Sequence, residues 1–252
     1  MSHGLALDRA AWSSPWRTRS VRDKGVLSLG LLVAAVSLPP LPGDAAIVVV
    51  CLALLLGPID VGAARLGRIL WLPLVSIAIG VATVAVSVSW DAGVRLAVTP
   101  EGTAMAGHLA VRALAAVLAM FTLACSTPMV DLFSACRRAR VPAPLVEIAA
   151  LVYRFTFGLL ESAYAVRDAQ GARLGMVNRR TTMRSAGMGA SALFLRAWDR
   201  ARRLEEGLTG RGYTDTLVTL ERPRRRSGAF LALSVAGLAT LVAVSVAWEV
   251  VR

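Results

Sequence analysis

The chain has 252 residues, of which 56% are hydrophobic and only 17% charged, and its mean hydropathy is +0.62. Soluble domains carry about 25% charged residues, and the apolar residues here form runs long enough to cross the roughly 30 Å hydrocarbon layer of a bilayer. The composition excludes an ordinary soluble enzyme and predicts an all-α polytopic membrane protein.

The net charge of +12 comes from 28 basic and 16 acidic residues, and nearly all of the basic residues are arginine. In a membrane protein such a surplus is first a topology signal, because Lys and Arg gather in cytoplasmic loops. Aromatic residues are only 6% of the chain and do not alternate with the basic clusters, so we expect no nucleic-acid partner. The three cysteines form no CxxC pair and there are only two histidines, so we predict no metal site.

In chain order, a basic segment of residues 1–25 comes first, and we expect it to be a cytoplasmic amino-terminal arm. Five apolar stretches bounded by helix breakers then predict about five transmembrane helices, near residues 26–42, 45–59, 69–89, 104–125 and 228–250. Residues 26–125 would contain the first four and residues 228–252 the last. The first two stretches can also pair as a tilted hairpin, so four or six crossings are alternatives.

The charges of the connecting segments predict an orientation. The arm has five Lys or Arg, and residues 126–227 have 18 basic against nine acidic residues. The bends 39–44 and 90–103 together have a single basic residue, Arg95. By the positive-inside rule, the amino terminus and residues 126–227 are predicted to be cytoplasmic in a multi-pass protein of the cell membrane.

Residues 126–227 keep helical periodicity and are not predicted to be a disordered loop. Segment 144–171 is an apolar helix with a narrow polar stripe at every seventh position: Glu147, Arg154, Glu161 and Asp168. Segment 185–209 alternates apolar and arginine-rich faces at helical spacing. The region is therefore predicted to contain two cytoplasmic helices, the second of them amphipathic.

Signatures of nucleotide binding and catalysis are absent from the sequence. The only lysine, Lys24, is followed by Gly25, so the pattern GxxxxGK[ST] cannot occur. Neither HExxH nor GxSxG is found. We therefore predict that the chain is not an enzyme and binds no cofactor, and that ATP and Mg²⁺ belong to partner ATPases if the work is ATP-driven.

His108 and Arg112 lie one helical turn apart inside the fourth predicted span. Ionisable residues in a membrane helix are candidate functional groups, so the two form a candidate intramembrane polar site. The alternative is a structural role, in which Arg112 extends to the outer surface or pairs with Asp91 or Glu101.

Two short elements place an arginine beside small residues where a predicted cytoplasmic helix ends: Ala172-Arg173-Leu174-Gly175 and Gly210-Arg211-Gly212-Tyr213. An arginine with small neighbours can bring its planar guanidinium into a groove lined by carboxylates. Two such ends suit two docking sites. The alternative is ordinary helix capping with a favourable cation at the carboxyl end.

These elements, in this order, resemble the CbiQ/EcfT family, the transmembrane T components of energy-coupling factor (ECF) ABC transporters, and most of all the CbiQ subunit of cobalt importers. The likeness covers most of the chain. It rests on residues 7–14 (LDRAAWSS), 125–132 (CSTPMVDL), 151–155 (LVYRF), 196–201 (RAWDRA) and 211–213 (RGY).

The resemblance implies a scaffold in the lipid bilayer that couples ATPase motions to a separate, CbiM-like substrate-binding membrane subunit. It also implies two ABC-type ATPase partners, which would dock on residues Ala172, Arg173, Gly210, Arg211 and Gly212. Leu174 departs from the small residue usual in the first motif, and Gly210 from the alanine usual in the second.

Other functions stay open at this point. A T component for vitamin or nickel uptake would share these motifs. A membrane-embedded lipid-modifying transferase would need clustered carboxylates or a nucleophile near the interface, and none is visible. A purely structural anchor would share the hydropathy but would not require two helices that end in arginine.

Overall fold

A computed structural model describes residues 4–38, 40–89, 95–213 and 227–251. The fold is the predicted one, an all-α polytopic membrane protein. The chain divides into two compact units, one of residues 1–132 and 222–252 and the other of residues 133–221, and each is described by itself.

The first unit consists mainly of helices separated by short turns. Its helices are α1 (Gly4–Ser13), α2 (Val21–Ser37), α3 (Ala45–Leu56), α4 (Ala63–Ala85), α5 (Pro100–Ser126) and α9 (Gly228–Val251). A 3-10 turn, Pro15–Thr18, precedes α2, and a π-type turn, Pro40–Asp44, precedes α3. Helix α6 (Met129–Arg138) begins here and continues into the second unit.

Helix α5 is the centre of the first unit, since α1, α2, α3 and α4 all contact it. Its buried side chains include Ala106, Ala115 and Ala119, and small residues of this kind let helix backbones approach closely. Helix α9 packs beside α2, where Leu238 lies over Gly30. The core is thus a set of helices gathered around a small-residue face.

Within the described residues, four helices are long and apolar enough to cross a bilayer: α4, α5, α7 (Ala143–Ala172) and residues Gly228–Trp248 of α9. Three of them correspond to predicted spans. The first two predicted spans correspond to α2 and α3, whose 17 and 12 residues reach only about 25 and 18 Å. Helix α7, which the charge pattern assigns to the cytoplasm, meets the same length and composition test.

Large apolar side chains cover the outer faces of these helices. Leu72 of α4 and Leu233 of α9 are both 74% exposed, and Trp71 is 68% exposed. An exposed apolar surface of this extent is what a lipid environment covers.

A short β-hairpin follows α4, where the sequence predicts the end of a span. Strands β1 (Val86–Ser89) and β2 (Arg95–Val98) pair antiparallel, from Val86 opposite Val98 to Ser89 opposite Arg95. The sequence Val-Ser-Val-Ser alternates with a period of two and is rich in β-branched residues, which favours a strand over a helix. The predicted helix 69–89 therefore ends early, at Ala85.

The second unit is dominated by two long helices, α7 and α8 (Arg179–Thr209). Helix α8 begins with a capping box, in which Asn178 and Thr181 satisfy each other's backbone N–H groups. The two helices run antiparallel: Ser185 Oγ donates to the Gly175 carbonyl near the turn, and Tyr213 reaches Glu147 at the other end. We call this pair the α7–α8 hairpin.

Candidate functional site

The carboxyl end of α7 has the geometry of a Schellman motif. The N–H of Gly175 donates to the Gln170 carbonyl at 2.9 Å, and the N–H of Leu174 donates to the Gly171 carbonyl at 3.0 Å. Leu174 adopts the left-handed conformation, with φ of 57°. Arg173 is the residue directly before it.

The carboxyl end of α8 repeats the same pattern. The N–H of Tyr213 donates to the Leu208 carbonyl at 3.1 Å, and that of Gly212 donates to the Thr209 carbonyl at 3.1 Å. Gly212 has φ of 71° and takes the left-handed position. Arg211 again comes directly before it, so the two arginines predicted to couple have equivalent places in two equivalent helix ends.

The two arginine sites lie at opposite ends of the α7–α8 hairpin. Arg173 follows α7 at the turn of the hairpin, and Arg211 follows α8 at its open end. A helix of 30 residues is about 45 Å long, which sets the approximate distance between the two ends. The two arginines are therefore too far apart to belong to one local site.

Both arginines are exposed and available. Among the residues that the structure describes, no carboxylate lies within ion-pair distance of either guanidinium. The side chain of Leu174, next to Arg173, is 73% exposed. Each site therefore presents an exposed planar cation beside a helix end.

Glu147 and Tyr213 form a contact that the sequence analysis did not identify. The Tyr213 hydroxyl donates to Glu147 Oε2 at 3.0 Å, and Glu147 is only 6% exposed. Tyr213 comes two residues after Arg211, so this bond fixes the chain just beyond the second arginine to the start of α7. Glu147 belongs to the polar stripe that the sequence predicts on α7. Its partner Tyr213 is 66 positions away in the chain, so the helical periodicity could not identify it.

An apolar groove of about 310 Å³ runs between the two helices of the hairpin. Its walls come mainly from α7, with Ala197, Arg200 and Ala201 from α8. The Arg200 guanidinium packs against α7 at Gly158, where any Cβ would collide with it. The Arg200 side chain thus lies directly against the backbone of α7 at this position.

The candidate intramembrane site is only partly brought together. Arg112 Nε lies 3.4 Å from Asp44 Oδ2, and its Nη2 donates to the Leu38 carbonyl at 2.6 Å. Asp44 is fully buried, whereas His108 is exposed on α5. The structure gives Arg112 a structural partner in Asp44, which the sequence analysis did not single out; Asp91, one of the partners considered, lies outside the described residues.

Known proteins resemble the chain over nearly its whole length. A profile of the CbiQ family, described as cobalt transport protein, matches residues 13–220. The cobalt transport protein CbiQ of Rhodobacter capsulatus is 39% identical over 96% of this chain and 98% of its own length. The chain belongs to the CbiQ family of cobalt transport proteins.

Two further relatives widen the comparison. The cobalt transport protein CbiQ of Salmonella typhimurium is 30% identical over 75% of this chain and 88% of its own length. A putative fused cobalt transport protein CbiMQ of Methanocorpusculum labreanum is 27% identical over 85% of this chain and 37% of its own, longer sequence. All three relatives are named as transport proteins.

The CbiQ match includes every candidate site residue. The range 13–220 contains Arg112, Arg173 and Arg211, as well as the small residues beside the last two. Among the described residues, no group of three or more His, Cys, Asp or Glu could hold a metal ion.

Proposed function

We propose that this CbiQ chain is the non-catalytic transmembrane scaffold of an ECF-type ABC importer for cobalt. It transmits the motions of two ABC-type ATPases to a separate substrate-binding membrane subunit. ATP and Mg²⁺ bind to those ATPases, and this chain binds no cofactor.

The equivalence of Arg173 and Arg211 carries the proposal. Each guanidinium is exposed, each precedes a left-handed residue that ends a helix, and the two are separated by the length of α7. A pair of related ATPase subunits offers two similar grooves at different places, and two similar cations about 45 Å apart match that arrangement.

The same proposal places the α7–α8 hairpin outside the bilayer, with the amino terminus, on the cytoplasmic side. Helix α7 is apolar enough to cross, but α8 runs along it and carries seven arginines and three acidic residues. Each arginine at the centre of a bilayer costs about 2.5 to 3.5 kcal/mol on insertion scales. If the hairpin crossed the bilayer, Arg173 and Arg211 would lie on opposite sides of the membrane. They could not then both contact ATPases on the cytoplasmic side.

Cobalt is the proposed substrate because the family and the named relatives are cobalt transport proteins. A CbiM-like subunit is the proposed substrate-binding partner, since the M. labreanum relative is named as a fusion of CbiM and CbiQ. Nickel and vitamins are the competing substrates, because the arginine motifs do not contact cargo.

Purification of the chain in mild detergent with everything bound to it tests the proposal. We expect two ABC-type ATPase subunits and one substrate-binding membrane protein in the complex. Proteoliposomes containing the complex should take up radioactive cobalt when ATP is supplied to the ATPase side, and excess nickel or vitamin should compete poorly. A chain purified without ATPases, or uptake driven only by nickel or a vitamin, would contradict the proposal.

A further inference from the structure

The turn between α2 and α3 lies beside the middle of α5. Leu38 follows the last residue of α2, and Asp44 directly precedes α3. Arg112 donates from Nη2 to the Leu38 carbonyl at 2.6 Å, and its Nε lies 3.4 Å from Asp44 Oδ2. Because α5 runs from Pro100 to Ser126, Arg112 is close to its midpoint. One side chain at the middle of α5 therefore contacts both ends of the turn.

The start of α2 is level with the carboxyl end of α5. Lys24 is only 1% exposed, and its Nζ donates to the Ser126 carbonyl at 2.8 Å. Lys24 and Leu38 are 14 positions apart, as are Arg112 and Ser126, and 14 residues of helix extend about 21 Å. Helix α2 thus runs antiparallel to α5 from its carboxyl end only as far as its middle.

Helices α3 and α4 differ in how much of α5 they accompany. The 12 residues of α3 extend back from the turn by about 18 Å. The 23 residues of α4 extend about 34 Å, which is enough to cross the hydrocarbon layer. Helix α4 ends at Ala85 beside the start of α5, where a Cβ at Gly102 would lie 3.3 Å from the Ala85 carbonyl oxygen. Helix α4 thus matches nearly the whole length of α5, whereas α2 and α3 match half of it.

The burial of α5 follows the same division. Six of its seven buried residues lie in the half next to α2 and α3: Ala115, Leu118, Ala119, Thr122, Cys125 and Ser126. In the other half Ala106 is buried, but Met105 and Leu109 are 68% and 43% exposed. The well-buried half of α5 is the half that the α2–α3 pair reaches.

We propose that α2 and α3 form a re-entrant hairpin, which enters the bilayer beside the carboxyl end of α5 and turns back at mid-depth, and that Arg112 is the positioning residue that holds the turn there. Arg112 is ten positions from Gly102, so the turn lies about 15 Å short of the other end of the α4–α5 pair. The chain therefore crosses the bilayer with α4 and α5 but not with α2 or α3. This inference concerns the first unit alone and does not depend on ATPases or cargo.

The contacts of Arg112 meet the physical requirements of such a turn. Non-helical backbone at membrane depth is tolerated only where the protein covers it and satisfies its polar groups. Asp44 is fully buried, α9 also contacts the turn, and the Leu38 carbonyl receives its donor from Arg112. An arginine at this depth needs a carboxylate or carbonyl partner, and the turn provides both.

Spin labels test the depth of the turn in the full chain, purified with the subunits it retains and reconstituted in liposomes. Single cysteines replace Val36 near the turn, Leu74 at the middle of α4 and Thr83 near its end, all exposed. Cys136 is changed to alanine, and Cys51 and Cys125 are buried. Relaxation by oxygen, which concentrates at the bilayer centre, is compared with relaxation by a polar nickel chelate.

We expect the ratio of the oxygen effect to the nickel effect at Val36 to match that at Leu74 and to be several times higher than that at Thr83. A hairpin that crosses the bilayer would place Val36 at the far surface. A ratio at Val36 as low as that at Thr83 would therefore overturn the re-entrant hairpin, whether or not the complex transports cobalt.

Substitutions in the Val36-labelled chain test the role of Arg112. Arg112→Gln is uncharged and too short to contact both ends of the turn, so the label should become more mobile. Asp44→Asn keeps the shape of the side chain and the bond to Leu38, and should raise the mobility less. Arg65→Gln, at an exposed position of α4, is the control and should leave the spectrum unchanged. Wild-type mobility in every variant of Arg112 and Asp44 that inserts would overturn the positioning role.

Discussion

Arg173 and Arg211 each stand directly before a residue in the left-handed conformation, Leu174 at φ of 57° and Gly212 at φ of 71°. The following backbone hydrogen bonds are the same in kind at both ends, so the two arginines leave their helices with the same local geometry. A cation near the carboxyl end of a helix is also favourable for the helix itself. Arg173 and Arg211 can therefore stabilise their own helix ends and also dock on a partner. Only experiments on variants distinguish the two roles.

The two left-handed positions differ in the residue that occupies them, which gives a matched pair of substitutions. Gly212→Val should destabilise its helix end by about 1 to 2 kcal/mol, because a β-branched residue is strained at positive φ. Leu174→Gly removes such strain and should be neutral or slightly stabilising. Thermal unfolding of the purified chain in detergent measures the stability of both variants. An equal loss of stability in the two would contradict the left-handed conformation of Leu174 and Gly212.

The packing of the α7–α8 hairpin can be tested with two glycines of α8. A Cβ at Gly189 would lie 3.3 Å from Val166 Cγ1, whereas a Cβ at Gly187 would meet nothing within 4 Å. Gly189→Leu should force the helices apart and cost about 1 to 3 kcal/mol, with weaker ATPase retention. Gly187→Leu is the control and should retain ATPase, since leucine is a better helix former than glycine. Comparable losses in both variants would show that the helices do not pack there.

The contact between Arg112 and Asp44 predicts a structural role for Arg112. Arg112→Met leaves a fully buried carboxylate without its cation and should cost about 2 to 3 kcal/mol, less than a fully buried pair because Arg112 is partly exposed. Removing both charges in Arg112→Met with Asp44→Leu should recover much of that stability. His108→Ala, on an exposed position of the same helix, should change neither stability nor cobalt uptake. A loss of uptake in His108→Ala would instead support a functional intramembrane polar site.

Several features followed from the sequence because they depend on neighbouring residues. The spans now seen as α4, α5 and α9 rest on apolar length, and the two arginine motifs rest on local helix-ending signals. The contacts of Arg112 with Asp44 and of Glu147 with Tyr213 join residues 68 and 66 positions apart, and periodicity carries no information about such pairs. The β-hairpin was missed because the predicted span 69–89 extended over the alternating Val-Ser segment.

The location of the α7–α8 hairpin has a direct chemical test. Asn178 lies at its turn and Thr209 at its open end, and both are exposed. Single cysteines at these positions, in a chain with Cys136 replaced by alanine, should resist an impermeant maleimide in intact cells and react after permeabilisation. A hairpin that crosses the bilayer would make one of the two react in intact cells. Labelling of either cysteine from outside would contradict the cytoplasmic assignment.

The central claim is that Arg173 and Arg211 dock the ATPases. Losing one partner of a desolvated charge pair commonly costs about 2 to 5 kcal/mol, so each alanine substitution should weaken its contact by roughly 30-fold or more. Lysine should substitute poorly, because a point charge does not reproduce the planar fork of a guanidinium. The spans should fold normally, since both side chains are exposed.

The most direct measurement is made on the double variant Arg173→Ala with Arg211→Ala, with Arg179→Ala and Arg184→Ala together as the control for lost charge on the same hairpin. ATPase co-purification and cobalt uptake are measured on the same membranes. We expect the double variant to be inserted in the membrane at wild-type level, to lose the ATPases and to take up no cobalt. The control variant should co-purify with the ATPases and take up cobalt as the wild type does. Wild-type ATPase retention and uptake in the double variant would reduce these arginines to helix-end cations and contradict the coupling mechanism.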